Sequence, residues 1–368
     1  MRIRAAVLTR HGAPLEVCEL ELAPPGPEEV LVRLAWSGVC HSDENAISGK
    51  APTPMPAVLG HEGAGVVEAV GPGARLQVGQ RVALSWAPAC GRCEECNRGL
   101  RHLCGAAWPA MGAGGLMDGT TRLSRDGEPV FHYSFLSTFA EACVVPEASC
   151  VPIGDDDPLD VASIVGCAVT TGIGAVWRTG EVRPGDRAAV FGCGGVGLSA
   201  VIGARAAGAE CVIAVDVSEA KLADAIDCGA THAVQWQGDP ESTADAVRAI
   251  VGSGVDCAIE ASGRPEVATA CYLSTRARGA AVMVGIPHAD AVASFPALSF
   301  PRMERRVLGS IYGSAYPPQE FPVILDLHRQ GRLPLERLIS HRLPLDQVND
   351  AFALMREGAA RRVLLELG

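Results

Sequence analysis

The chain has 368 residues, 48% of them hydrophobic, with 42 glycines and a mean hydropathy of +0.20, a composition of compact structure that excludes a disordered chain. A formal net charge of -11, a pI of about 5.3 and no basic cluster argue against nucleic acid or an anionic membrane as partner and favour a small-molecule substrate. At this length about two domains are expected, each with its own core.

The amino-terminal MRIRAAVLTRHG has arginines but no apolar segment of signal-peptide length, so a cytoplasmic location is expected. Fourteen cysteines in an unexported chain stay reduced, and four of them crowd between positions 90 and 104, which favours metal over disulfides. Short aliphatic and β-branched runs at 4–8 and 29–36, separated by AP and PPGP turns, predict strands, and 58–70 and 81–86 continue this all-β start. Between them lie GVCHSD (38–43) and GHEGAG (60–65). The thiol of Cys40 and the imidazole of His61 are zinc-ligand groups, although a single cysteine equally fills a small buried space. Asp43 and Glu62 favour the metal reading, because a ligating imidazole usually gives its other N–H to a carboxylate.

CGRCEECNRGLRHLC follows. Cys90, Cys93 and Cys96 form two overlapping Cys-x-x-Cys turns, and with Cys104 they can close a tetrahedral structural zinc site. Four thiolates also suit an iron–sulfur cluster, and that alternative stays open here. The surrounding lobe, to about Leu136, is rich in glycine and turn residues and needs such a staple. Short strands return over 131–153, and DDDPLDVASIVG opens a helix with its acidic residues at the positive end of the dipole. Next comes VGCAVTTGIG (165–174), carrying Cys167 at the seam between a metal-bearing and a cofactor-binding region.

AAVFGCGGVGLSAVIGARAAGA predicts strand, turn and helix. Gly192, Gly194 and Gly197 give the G-x-G-x-x-G spacing, with Gly195 and Val196 between them. The first glycine serves the turn, the second lets backbone approach a pyrophosphate, and the third allows close helix–strand packing. Asp216 ends the next strand about twenty residues on, where a carboxylate grips a ribose 2′-hydroxyl. It also repels a 2′-phosphate, and no arginine follows in VSEAK, so NAD is preferred to NADP. The run 188–204 approaches the ~17 residues of a short membrane span, but its glycine turn and the neighbouring Arg205 argue for this strand–turn–helix instead. Further alternation predicts an α/β, doubly wound parallel sheet, and past Ile311 helices at 319–329 and 347–357 and the strand RRVLLEL read as a tail returning to the first domain.

In family order and over essentially the whole chain, GVCHSD, GHEGAG, CGRCEEC with LC, STFAE, VGCAVTTG, FGCGGVGL and AVDVSEAK resemble the zinc-dependent medium-chain alcohol dehydrogenases. They are nearest the glutathione-dependent formaldehyde dehydrogenase-like branch. The resemblance implies a GroES-like β-rich catalytic domain at 1–168 and 312–368 and a Rossmann NAD-binding domain at 169–311. It implies two Zn2+ per chain: Cys40, His61 and Cys167 for the catalytic ion, and Cys90, Cys93, Cys96 and Cys104 for the structural one. Ser42 matches the hydroxyl that takes the substrate proton, His41 a residue near the pyrophosphate, Thr171 a neighbour of the nicotinamide, and Lys221 and Arg362 contacts to cofactor ribose and phosphate. His41 also reads simply as a surface imidazole in a turn. Trp86 and Tyr133 match positions in the substrate pocket, though both also suit plain core.

Three departures bear on substrate. Asn45 stands where many relatives have the histidine that ends the proton relay. AAWPAMGAGG lacks the arginine, and GKAPTPMPAV the acidic residues, that would hold glutathione. Aromatic or medium-length primary alcohols and aldehydes are therefore expected. The alternatives are a dehydrogenase of another low-molecular-weight thiol adduct and a catalytically silent dinucleotide-binding protein. The long lobe resembles dimeric members of the family, so a homodimer is expected.

Overall fold

A computed structural model describes residues 1–368. The chain forms two compact units, Met1–Cys167 with Tyr316–Asp326 and Ile339–Gly368, and Ala168–Ala315 with Leu327–Leu338. Of the tail over 312–368, residues 316–326 and 339–368 fall in the first unit and 312–315 and 327–338 in the second.

In the first unit, strands Arg2–Leu8, Glu16–Leu22, Leu123–Arg125, Glu128–His132 and Ala57–Val58 close a barrel. A second, mostly antiparallel sheet is built around the strand Glu29–Gly38, which pairs with Gly63–Val70, Ala142–Pro146 and the carboxy-terminal Val363–Glu366. Leu364 lies opposite Gly38 and Leu365 opposite Ser37, which is how the tail returns to this unit. Val30, Val32, Leu34, Val67, Leu84, Phe139, Val144 and Leu365 are almost completely buried between these layers. Each such side chain contributes about 1.5–3 kcal/mol of burial free energy.

The second unit holds a six-stranded sheet in the order His232–Gln235, Cys211–Asp216, Arg187–Phe191, Val255–Glu260, Thr275–Met283, Arg306–Gly309, with every pair parallel. Its central strands are covered on both faces, which is why they read as unbroken apolar runs. The strand order reverses between Arg187–Phe191 and Val255–Glu260, so a ligand crevice is expected beyond the carboxyl ends of these two strands. At the opposite edge, arginines satisfy helix carbonyls: Arg187 Nη1 donates to Val251 O at 2.8 Å and Arg248 Nη1 to Leu273 O at 2.6 Å.

The run 188–204 is a strand to Phe191 and, after a turn, the helix Gly195–Ala206. The one helix long and apolar enough to cross a bilayer is Leu159–Thr179, and 83% of its most apolar window is buried inside the protein. It runs unbroken past the glycines of VGCAVTTGIG, with π-helical turns at Val165–Val169 and Ala175–Thr179, and the division between the units falls within it, after Cys167. Wider turns of this kind recur at functional sites.

Candidate active site

Strand pairing assembles the first half of the site. Ser37 lies opposite Gly63, and Gly38 N–H donates to Glu62 O at 2.9 Å, so the residues that follow one strand and precede the other meet side by side. A Cβ at 38 would stand 2.1 Å from Glu62 Oε2, so a larger residue there would have to displace that carboxylate. Cys40 then caps a short helix, α1 (His41–Ile47). Asp43 in α1 ties the two segments together: Oδ2 accepts the Cys40 N–H at 3.1 Å, and Oδ1 accepts the Gly60 N–H at 3.1 Å and faces His61 Nδ1 at 3.0 Å. A carboxylate only accepts, so Nδ1 carries a proton and Nε2 is the nitrogen a metal would bind.

Cys167 arrives on the π-helical turn Val165–Val169. One donor atom each from Cys40, His61, Glu62 and Cys167 lies within 4.8 Å of the others, and all four residues are buried. Cys40 is held well below the ordinary thiol range, chiefly by a hydrogen bond from Cys167, which burial opposes; Cys167 is raised by that same bond and by burial. Burial opposes charge on His61, but the carboxylate of Asp43 and then Cys40 outweigh it and lift its pKa well above normal. Burial pushes Glu62 up to about 7 against the pull of Arg362. Glu62 lies 3.3 Å from Arg362 Nη1, and neither of its carboxylate oxygens has a hydrogen-bond partner. Two soft sulfur donors, an imidazole and a carboxylate gathered out of water fit Zn2+, whose binding would deprotonate the remaining thiol.

The second cluster, Cys90, Cys93, Cys96 and Cys104, also has its sulfurs within 4.8 Å of one another. Cys90 N–H donates to Cys104 Sγ at 3.3 Å. Backbone N–H groups, first that of Arg92, draw Cys90 down to about 6, while burial and the neighbouring Cys93 raise Cys96 to about 12. All fourteen cysteines are free of disulfides. Four thiolates with no fifth donor make a closed site.

The three glycines of the turn differ in conformation and in the room around them. Gly192 has φ 93°; a Cβ on Gly194 would meet nothing within 4 Å; a Cβ on Gly197 would stand 1.8 Å from Gly192 O. The first therefore makes the turn, the second leaves space, and the third closes helix on strand. Gly194 caps the helix from Gly195 and Val196 onward, whose amino end is a ready anion site. Asp216 stands against this turn, Oδ2 accepting the Cys193 N–H at 2.7 Å and Oδ1 the Ser218 N–H at 3.0 Å. Lys221 is half-buried in the next helix, and Thr171 is buried in Thr170–Gly174.

Around the metal cluster, Ser42 Oγ lies 3.9 Å from Cys40 Sγ, and His41 is exposed. Arg362, expected at a cofactor phosphate, is buried with its guanidinium on Glu62 and on Val39 O, the latter at 2.8 Å. Tyr133, expected to face substrate, donates its hydroxyl to Ser42 O at 2.9 Å. Trp86 sits edge-on to Trp108, ring centroids 6.2 Å apart. The sequence reading missed Trp108, 40% exposed in the cysteine-rich lobe; its signal was a large aromatic in a segment with little core. Glu62, expected to orient a ligand, has a carboxylate oxygen within 4.8 Å of the donor atoms of Cys40, His61 and Cys167.

Residues 26–155 match the alcohol dehydrogenase GroES-like domain and residues 195–330 the zinc-binding dehydrogenase domain. The chain is 38% identical to an S-(hydroxymethyl)glutathione dehydrogenase from Escherichia coli O1:K1 over 99% of this chain and all of the relative. Among solved structures it is similar to an alcohol dehydrogenase zinc-binding domain protein from Burkholderia ambifaria (37% identity, TM-score 0.96, 100% of this chain and 99% of the other). It is likewise similar to the benzyl alcohol dehydrogenase from Acinetobacter calcoaceticus (32% identity, TM-score 0.95, all of both chains).

Proposed function

Because the chain belongs to the zinc-binding alcohol dehydrogenases, we propose that it is a cytoplasmic, homodimeric enzyme interconverting aromatic or medium-length primary alcohols and aldehydes with NAD(H). Cys40, His61 and Cys167 hold the catalytic zinc, and Cys90, Cys93, Cys96 and Cys104 the structural one. The observation that carries this is the buried donor cluster with a serine hydroxyl 3.9 Å from one of its sulfurs.

Zn2+ at that cluster supplies Lewis acidity, easing loss of an alcohol's proton or polarising a carbonyl, and NAD supplies the hydride acceptor. Ser42 takes the alcohol proton at Oγ and passes it on. Asn45 cannot titrate, so the proton leaves to solvent beside the exposed His41. Asp43 holds His61 in the tautomer that leaves Nε2 free. The turn Gly192–Gly197 and the following helix bind the pyrophosphate, Asp216 and Lys221 hold the adenosine ribose, and Thr171 lies beside the nicotinamide. Arg362 offsets the charge of Glu62.

Three features support an aromatic substrate: the Trp86–Trp108 pair, the lack of arginine over 106–115, and the likeness to a benzyl alcohol dehydrogenase. A thiol-adduct substrate is the second reading, favoured by the 38% identity to an S-(hydroxymethyl)glutathione dehydrogenase. NADH absorbance on aromatic alcohols, and on formaldehyde with and without added glutathione, separates the two. Turnover that needs both formaldehyde and thiol would select the second.

A further inference from the structure

The segment from Tyr133 to Phe139 carries three of the chain's ten left-handed residues other than glycine: Ser134 (φ 51°), Phe135 (φ 64°) and Ser137 (φ 53°). Such backbone persists only where the surroundings over-determine it, and it is drawn from sites where a side chain must be aimed. The surroundings here do so. Tyr133 N–H donates to Ser137 Oγ at 3.1 Å, which in turn lies 3.2 Å from His132 Nδ1. Thr138 N–H donates to Gly60 O at 3.0 Å, Thr138 Oγ1 is 2.7 Å from Ser37 Oγ, and Phe135 and Leu136 are fully buried. The loop is therefore pinned to the backbone immediately before His61.

What it aims is the Tyr133 side chain. The ring stands edge-on to His61, centroids 5.7 Å apart at 65°, and the hydroxyl donates to Ser42 O at 2.9 Å. One side chain thus touches a proposed ligand and the backbone of the proposed proton acceptor. We propose that Tyr133 is a positioning residue: its hydroxyl fixes the first turn of α1 and so holds the Ser42 hydroxyl in register with the ligand cluster. This rests on the proposed role of Ser42. It also departs from the pocket-wall reading, in which the ring would matter and the hydroxyl would not.

Tyr133→Phe keeps the ring on His61 and removes only the hydrogen bond. The expected result is kcat reduced about tenfold, since small misplacement of a reacting group is costly, with KM for alcohol and NAD within about twofold and zinc content unchanged. Amide hydrogen exchange measured by mass spectrometry should quicken over 41–47 and stay unchanged over 187–191. On a Ser42→Ala background Tyr133→Phe should have no further effect on kcat, because it acts through Ser42. Unchanged exchange over 41–47 overturns the anchoring, and unchanged kcat with an altered alcohol KM restores the pocket-wall reading. Normal turnover in Ser42→Ala alone overturns the relay, and with it the catalytic half of this proposal, while the exchange result still reports on the anchoring.

Discussion

Oδ1 of Asp43 and Nδ1 of His61 lie 3.0 Å apart in the interior, and the other oxygen of the same carboxylate holds the Cys40 N–H. One side chain thus orients both ligand segments. Asp43→Asn keeps the shape and an acceptor but loses the charge that fixes the imidazole. Changes to such supporting groups cost about 10–100-fold in metal affinity. Zinc competition with a chromophoric chelator should show a loss of that size at one site only. Activity should recover with excess zinc.

Cys104 is almost fully buried among the other three sulfurs of its lobe, which carries little apolar core of its own. Cys104→Ser should reduce zinc from two ions per chain to one and lower the thermal midpoint, since structural zinc contributes folding free energy directly. Elemental analysis and calorimetry measure both. A wild-type chain holding a single zinc would favour the catalytically silent reading.

The residues easiest to read from sequence were those whose chemistry permits few substitutes. Thiolates at Cys-x-x-Cys spacing, and glycines at 192, 194 and 197, each answer to one local constraint, and the structure shows the constraint directly at Gly197. Long-range partners were not legible. Arg362 meets Val39 O and Glu62 only because the last strand pairs with Glu29–Gly38, a contact no local pattern encodes. The left-handed turn at Ser134, Phe135 and Ser137 has none of the glycine or asparagine that usually announces one, so the aim of Tyr133 was invisible. Leu159–Thr179 stays helical through the glycines of VGCAVTTGIG because packing of this buried segment outweighs their low helix propensity.

Asp216 holds two backbone N–H groups of the glycine turn and its neighbour, so its replacement tests selectivity only if the turn survives. Asp216→Asn keeps an acceptor while removing the charge that repels a 2′-phosphate. The KM for NAD should rise about tenfold or more, the scale of a lost charged hydrogen bond, and NADP should become a measurable substrate. Initial-rate kinetics with each dinucleotide checks this. A variant as selective for NAD as the wild type would remove Asp216 from the specificity argument.

His132 is buried, with Nε2 accepting the Arg122 N–H at 3.3 Å, and burial, then the charge of Arg122, pushes its pKa down to about 3. The unfolded chain has an ordinary imidazole with a pKa of about 6.5. Above that value His132 is neutral in both states and its contribution is fully present. As pH falls from about 6.5 toward 3, the unfolded chain binds a proton that the native one does not, so stability is lost, at up to about 1.4 kcal/mol per pH unit. His132→Asn cannot titrate and should flatten that part of the slope while costing stability at neutral pH. Urea midpoints of both proteins at several pH values between 7 and 4.5 give the comparison. Parallel slopes would mean that His132 takes up its proton without unfolding.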